Sequence, residues 1–144
     1  MTKVSGSQLI TKCLSTLGID TVFAVAGDHT LPLMDTMHNS GIRFIDTRHE
    51  QGAVDMANAW GRIKHKPGVS MFTTPGHANA IPGLAFAHQL ESPVINISGC
   101  ANQDRLGQWA AQEIDQIGMA KPVTKDAWLI RDIRRIPEFF WRSY

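Results

Sequence analysis

Three groups of small and polar residues directly follow apolar, strand-like runs, and they hold the side chains best suited to chemistry. The groups are Gly27-Asp28-His29, Arg48-His49-Glu50 and Thr73-Thr74-Pro75-Gly76. The carboxyl ends of parallel strands lie along one edge of a sheet, where α/β proteins bind ligands. We therefore expect the three groups to line one crevice, whose glycines let the backbone approach a flat ligand closely.

Glu50 carries the strongest indication of function in these groups. It stands where an apolar run gives way to a helical pattern, so its carboxylate is placed to exchange a proton with a bound molecule. Alternatively, Glu50 only supplies a favourable negative charge to the first turn of a helix. Its position alone leaves both interpretations open.

Several common site classes are not indicated by the sequence. It contains no GxxxxGK[ST] phosphate loop, no GxGxxG after a strand and no GxSxG elbow. The six histidines lack HxxxH spacing, and Cys13 and Cys100 stand far apart without a CxxC pair. A metal site, a disulfide framework and a serine-hydrolase centre are therefore not predicted.

Alternating strand and helix patterns supply the elements that must position these groups. The spacing of apolar residues predicts strands at 21–26, 42–45, 68–73, 93–98 and, more weakly, 123–129. It predicts helices at 5–17, from 30, 53–61, 82–90, 115–120 and from 130, with a long loop at 99–112. This alternation predicts an α/β fold, a doubly wound parallel sheet with helices on both faces.

Length and composition fit a single domain over residues 1–144. With 43% hydrophobic and 19% charged residues, the chain is long enough to bury a core. A formal net charge of +1 with scattered Lys and Arg predicts neither a nucleic-acid nor a membrane partner. No apolar run suits a signal peptide or a membrane span, so we expect a cytoplasmic protein.

Five motifs occur in order along nearly the whole chain. They are Gly27-Asp28-His29, Arg48-His49-Glu50-Gln51-Gly52-Ala53, Thr73-Thr74-Pro75-Gly76-His77-Ala78-Asn79, Pro93-Val94-Ile95-Asn96-Ile97-Ser98-Gly99, and Gln112-Glu113-Ile114-Asp115-Gln116. Together they resemble the amino-terminal pyrimidine-binding domain of thiamine-diphosphate enzymes of the acetolactate synthase, benzaldehyde lyase and oxalyl-CoA decarboxylase group. In that family one more strand usually follows the last helix, so the resemblance implies a sheet that lacks its last strand.

The resemblance implies roles for particular residues. Glu50 matches a glutamate that hydrogen-bonds the aminopyrimidine and favours the imino tautomer, which removes the proton from the thiazolium C2. His29 matches an active-site histidine that moves a proton on the substrate side, although a plain loop histidine is the alternative. Gln112 matches a glutamine that reaches the cofactor or substrate, and an ordinary loop amide is its alternative.

The loop after the third strand also matches the family, with two departures. Gly27, Pro75, Gly76 and Asn79 stand at positions that shape the pyrimidine site in the family. Thr74 replaces a common glycine and Pro82 a common hydroxyl residue. His49 and His77 are interpreted as structural or loop residues.

The resemblance further implies an enzyme whose parts are not all in this sequence. In the family, a separate domain with a GDG motif holds Mg²⁺ and the diphosphate, and that motif is absent here. The expected partner is that domain, in the same enzyme or in another subunit, within a homodimer or tetramer that acts on 2-oxo acids or 2-hydroxy ketones. We expect the chain alone to be inactive; a split decarboxylase subunit and a catalytically silent dimerisation domain are the alternatives.

Overall fold

The computed structural model describes residues 3–144, which form four strands and six α-helices. The strands are β1 (Thr21–Ala24), β2 (Arg43–Asp46), β3 (Gly68–Phe72) and β4 (Val94–Ser98). The helices are α1 (Gly6–Thr16), α2 (Leu31–His38), α3 (Glu50–Lys64), α4 (Gly76–Gln89), α5 (Gln116–Ala120) and α6 (Ile136–Ser143). There are also two 3₁₀ turns. Lys121–Val123 directly follows α5, and Ile133–Arg135 directly precedes α6.

The four strands form one parallel sheet in the order β2-β1-β3-β4. Val22 of β1 pairs with Phe44 on one side and with Val69 on the other. From β1, the chain first adds β2 on one side of the sheet and then β3 and β4 on the other. The boundary between β1 and β3 is therefore the switch point where open α/β sheets bind ligands. The predicted α/β fold with a doubly wound parallel sheet is confirmed.

Each face of the sheet is covered by its own set of helices. Val22 and Met71 pack with α1, α2 and α6, whereas Phe23 and Phe72 pack with α3 and α4. The alternation follows from the two-residue period of a strand, and it explains why these strands read as continuous apolar runs. Burying each large side chain contributes about 1.5–3 kcal/mol to the free energy of folding, so both layers stabilise the central strands β1 and β3.

The predicted strand at 123–129 is wrong. Only a 3₁₀ turn, Lys121–Val123, occupies its start, and the rest has no regular structure. Val123 packs against the core layer under α3, while the Trp128 ring contacts Phe139 of α6 at a centroid distance of 5.6 Å. The apolar residues of this segment therefore bridge two helical layers instead of joining the sheet.

Two helix starts differ from the prediction by six residues, and α3 begins at Glu50, three residues before the predicted 53. Helix α4 begins at Gly76 and not at 82, because the presumed turn is its first turn: His77 N–H donates to the Thr73 carbonyl at 2.9 Å. Pro82 consequently lies inside the helix. Helix α6 begins at Ile136 and not at 130, after a 3₁₀ turn in which the Asp132 carboxylate accepts a hydrogen bond from the Arg134 backbone N–H.

None of the helices in residues 3–144 is long and apolar enough to cross a membrane.

Candidate functional site

Glu50 is the first residue of α3 and stands at the carboxyl end of β2. The preceding residue, His49, caps the helix, because its Nδ1 accepts a hydrogen bond from the Gln51 backbone N–H at 3.2 Å. Thr47 ties the same junction to β1, since its hydroxyl donates to the Ala24 carbonyl oxygen at 3.2 Å. These contacts fix the position of Glu50 relative to the carboxyl ends of β1 and β2.

The start of α4 lies directly against the Glu50 carboxylate. Asn79 Nδ2 donates a hydrogen bond to Glu50 Oε2 at 3.0 Å. A Cβ atom at Gly76 would lie 2.7 Å from the Glu50 carboxyl carbon, so a side chain there would displace the carboxylate from this position. Pro75 immediately precedes Gly76 as the N-cap of α4 and follows a cis peptide bond. The fold thus brings together Glu50, Gly76 and Asn79, which are distant in sequence.

The amino termini of α3 and α4 both meet at this carboxylate. Glu50 opens one helix, and Gly76, which touches it, opens the other. The unpaired N–H groups at a helix start carry a partial positive charge that stabilises a nearby carboxylate. The Glu50 side chain is half-buried, so part of it stays accessible to solvent.

Gly27 and His29 follow the carboxyl end of β1 and lie against the residues that follow β3 and β4. A Cβ at Gly27 would come within 2.6 Å of the Thr73 hydroxyl oxygen after β3. A Cβ at Gly99 would come within 2.6 Å of His29 Cβ, which places His29 against the end of β4. His29 is half-buried, and its Nδ1 is buried without a hydrogen-bond partner in residues 3–144. No hydrogen bond joins His29 to Glu50 in this part of the chain.

Gln112 is exposed in the loop between β4 and α5, and Gln116 makes the contact with the sheet edge instead. Gln116 Nε2 donates to the Ser98 hydroxyl at 2.7 Å and to the Gly99 carbonyl at 3.0 Å. Gln116 was not among the site residues predicted from sequence. Its position directly after Asp115, at the start of a short helix, was the available signal.

His77 is buried beneath the start of α4. It is 4% exposed, and its ring faces Phe72 at a centroid distance of 6.5 Å. Burial lowers the pKa of His77, and the nearby Gln116 backbone opposes this with a smaller effect. Neither ring nitrogen has a hydrogen-bond partner of good geometry among residues 3–144. His77 thus packs as a neutral core residue and His49 acts as a helix cap.

The described part of the chain, 3–144, contains no group of three His, Cys, Asp or Glu side chains that could hold a metal ion.

Comparison with known sequences identifies the family. Residues 4–119 match the family described as "Thiamine pyrophosphate enzyme, N-terminal TPP binding domain". The chain belongs to this family. The match includes both segments that meet at the Glu50 carboxylate.

Curated relatives of this thiamine pyrophosphate domain are acetolactate synthases. The large subunit from Lactococcus lactis is 37% identical over 142 residues, which cover 97% of this chain and 25% of the relative. The large subunit from Mycobacterium tuberculosis is 40% identical over 121 residues, covering 83% of this chain and 22% of the relative. The isozyme 3 large subunit from Escherichia coli K12 is 33% identical over 146 residues, which cover 100% of this chain and 25% of the relative. The chain thus spans about a quarter of the length of these relatives.

Proposed function

We propose that this chain provides the pyrimidine-binding half of a thiamine-diphosphate site in an acetolactate synthase-like enzyme. In this proposal Glu50 exchanges a proton with a ring nitrogen of the aminopyrimidine. The observation that carries the proposal is the meeting of the Glu50 carboxylate with Asn79 and Gly76 where α3 and α4 begin. The family match and the acetolactate synthase relatives support the choice of cofactor.

The residues present fit a flat heterocycle that carries a nitrogen donor. Asn79 donates its hydrogen bond to Glu50 Oε2, while Oε1 has no hydrogen-bond partner in residues 3–144. Oε1 is therefore available to accept a hydrogen bond from a ring N–H. Gly76 carries no side chain over the carboxylate, so an aromatic ring can approach closely.

Thiamine diphosphate, when bound, supplies an electron sink for reactions of 2-oxo acids or 2-hydroxy ketones. Glu50 holds a proton at the pyrimidine ring, and Asn79 fixes the carboxylate in the orientation that this exchange requires. Pro75 and Gly76 shape the adjoining wall. The half-buried position of Glu50 limits the access of water, which strengthens the interaction.

The remaining predicted site residues take subsidiary roles in this proposal. His29, at the switch point of the sheet, moves a proton on the substrate side, and Gln112 reaches the cofactor or substrate. Gly27 keeps the end of β1 close to Thr73, which narrows the crevice. A further domain, in the same enzyme or in a partner subunit of a homodimer or tetramer, holds Mg²⁺ and the diphosphate. The quarter-length coverage of the relatives supports such a domain.

A Glu50→Gln variant tests the proposed role in the active assembly that contains this chain. Glutamine preserves the size and the hydrogen bond to Asn79 but cannot accept the proton. We expect hydrogen–deuterium exchange at C2 of bound thiamine diphosphate, followed by NMR, to slow roughly 100-fold, as expected for loss of a general acid–base. Asp55→Asn, an exposed charge removal on the same helix, is the matched control. An exchange rate equal to that of the unmodified protein would sink the assignment.

A catalytically silent association domain is the second candidate function. A groove of about 370 Å³ between α3 and α4 favours it, since Phe86 at this groove is 54% exposed. On this alternative, Phe86→Glu would weaken assembly in sedimentation experiments, and Glu50→Gln would leave C2 exchange unchanged. A slowed exchange in Glu50→Gln rejects this candidate.

A further inference from the structure

The loop between β4 and α5 begins with a turn in which the Arg105 N–H donates to the Asn102 carbonyl at 2.9 Å, and two further turns follow it. In the turn 105–108, the Gln108 N–H donates to the Arg105 carbonyl at 3.2 Å, and Gly107 has a φ of +82°. In the turn 110–113, the Glu113 N–H donates to the Ala110 carbonyl at 3.0 Å. Both of these turns close a four-residue segment, as β-turns do.

One carboxylate joins the turns 105–108 and 110–113. Glu113 Oε1 accepts a hydrogen bond from the Gly107 N–H, and Oε2 accepts one from the Ala110 N–H at 3.0 Å. Hydrogen bonds to an ionised acceptor are stronger than neutral ones. Glu113 therefore closes the loop on itself with a clamp of three bonds, of which two come from its side chain.

Gln112 occupies the strained position of the turn 110–113. It is the third residue of that turn and has a φ of +63°, a conformation that favours glycine. Gly107 stands at the equivalent place in the turn 105–108, where glycine adopts this conformation without strain, and Trp109, between these two turns, also has a positive φ, +57°. A residue stays in such a conformation only when its surroundings impose it, and such residues concentrate at functional sites.

We propose that Glu113 is a positioning residue that imposes this backbone conformation on Gln112 and thereby aims its side-chain amide. This inference rests on the proposed function, in which Gln112 reaches the cofactor or substrate. Gln116 supplies the fixed base, because its bonds to Ser98 and Gly99 attach the end of the loop to the sheet edge. The clamp therefore works against a rigid support.

Removal of the clamp in the active assembly tests the proposal with two readouts. In Glu113→Ala, amide hydrogen exchange at Gly107 and Ala110 should accelerate at least about tenfold, because their acceptor is lost. The kcat should fall about tenfold, since small displacements of a positioned group cost large factors. In a Gln112→Ala background, the same change should lower kcat less than about twofold, because both act through one amide.

Two further variants separate positioning from general loop stability. Glu113→Gln keeps one oxygen acceptor and should recover part of the kcat lost in Glu113→Ala. Gln108→Ala removes a hydrogen bond to the Asp104 carbonyl in the same loop without touching the clamp, so its kcat should match the parent.

Two results would overturn the proposal. Unchanged amide exchange in Glu113→Ala would show that the clamp does not hold the loop. An equal kcat loss with and without the Gln112 side chain would show that Glu113 acts elsewhere. Failure of the proposed function is read separately, from unchanged C2 exchange in Glu50→Gln, because amide exchange at Gly107 and Ala110 does not depend on the cofactor.

Discussion

Any side chain at position 76 would displace the Glu50 carboxylate, because the start of α4 lies directly against it. A Cβ there would stand 2.7 Å from the carboxyl carbon, closer than van der Waals contact permits. We expect Gly76→Ala to lower the free energy of unfolding by about 1 kcal/mol, because the Glu50 side chain must turn away and lose its hydrogen bond to Asn79. The displaced carboxylate should also bind thiamine diphosphate more weakly, measured by calorimetry on the assembly.

Gly52 provides the matched control for that prediction. It lies in α3 two residues after Glu50, and a Cβ there would meet no heavy atom within 4 Å. Gly52→Ala should therefore raise the free energy of unfolding by roughly 0.5–1 kcal/mol through helix propensity alone. Urea unfolding of both variants measures whether each change raises or lowers the free energy of unfolding. Equal stabilisation by both alanines would contradict the close contact at Gly76.

Among the elements, β3, α4 and α5 meet at His77. Its ring faces Phe72 of β3, and the Gln116 backbone of α5 lies beside it. Burial lowers the pKa of the ring, so the unfolded chain binds this proton more readily than the folded one. The free energy of unfolding should therefore decrease as the pH falls through the usual histidine range, about 6.5, toward the folded pKa.

Replacement of His77 tests this pH dependence. In His77→Phe, urea unfolding between roughly pH 8 and 5 should lose the part of the slope that His77 contributes. His38, which is exposed at the end of α2, gives the control variant His38→Asn, in which the slope should persist. An unaltered slope in His77→Phe would argue against a proton uptake linked to unfolding at this residue.

The same elements show why sequence predicted the strands better than their surroundings. The two central strands, β1 and β3, are buried on both faces, so unbroken apolar runs identified them. The edge strands β2 and β4 are only partly buried. The segment 123–129 carries a comparable pattern, yet Val123 and Trp128 serve two helical layers, which periodicity does not distinguish from a strand. Likewise, Pro75 and Gly76 are typical of a turn, although proline and glycine also occur where a helix begins.

Site prediction had a similar limit. The meeting of Glu50 with Gly76 and Asn79 follows from parallel strand ends, and the sequence motifs named all three residues. The contact of Gln116 with Ser98 depends on how a long loop returns to the sheet, and local spacing carries no information on that closure.

At the scale of the whole molecule, our proposal makes this edge of the sheet one wall of a binding site. Glu50 and its neighbours gather along one edge of the sheet, and the chain covers about a quarter of its acetolactate synthase relatives. Our proposal assigns to this wall the pyrimidine half of thiamine diphosphate and to another domain the diphosphate with Mg²⁺. The two halves of the ligand then make separable contributions to affinity.

This division predicts how the chain discriminates between related ligands. By itself, the 144-residue chain should bind thiamine and thiamine diphosphate with dissociation constants within about threefold of each other, because both share the pyrimidine. The complete assembly with Mg²⁺ should prefer thiamine diphosphate by at least about 100-fold, close to 2.7 kcal/mol. Calorimetric titration of both ligands into both proteins measures the difference, with Asn79→Ala as a variant that should weaken both ligands equally. A 100-fold preference for thiamine diphosphate by the chain alone would place a diphosphate site on this domain and contradict the division.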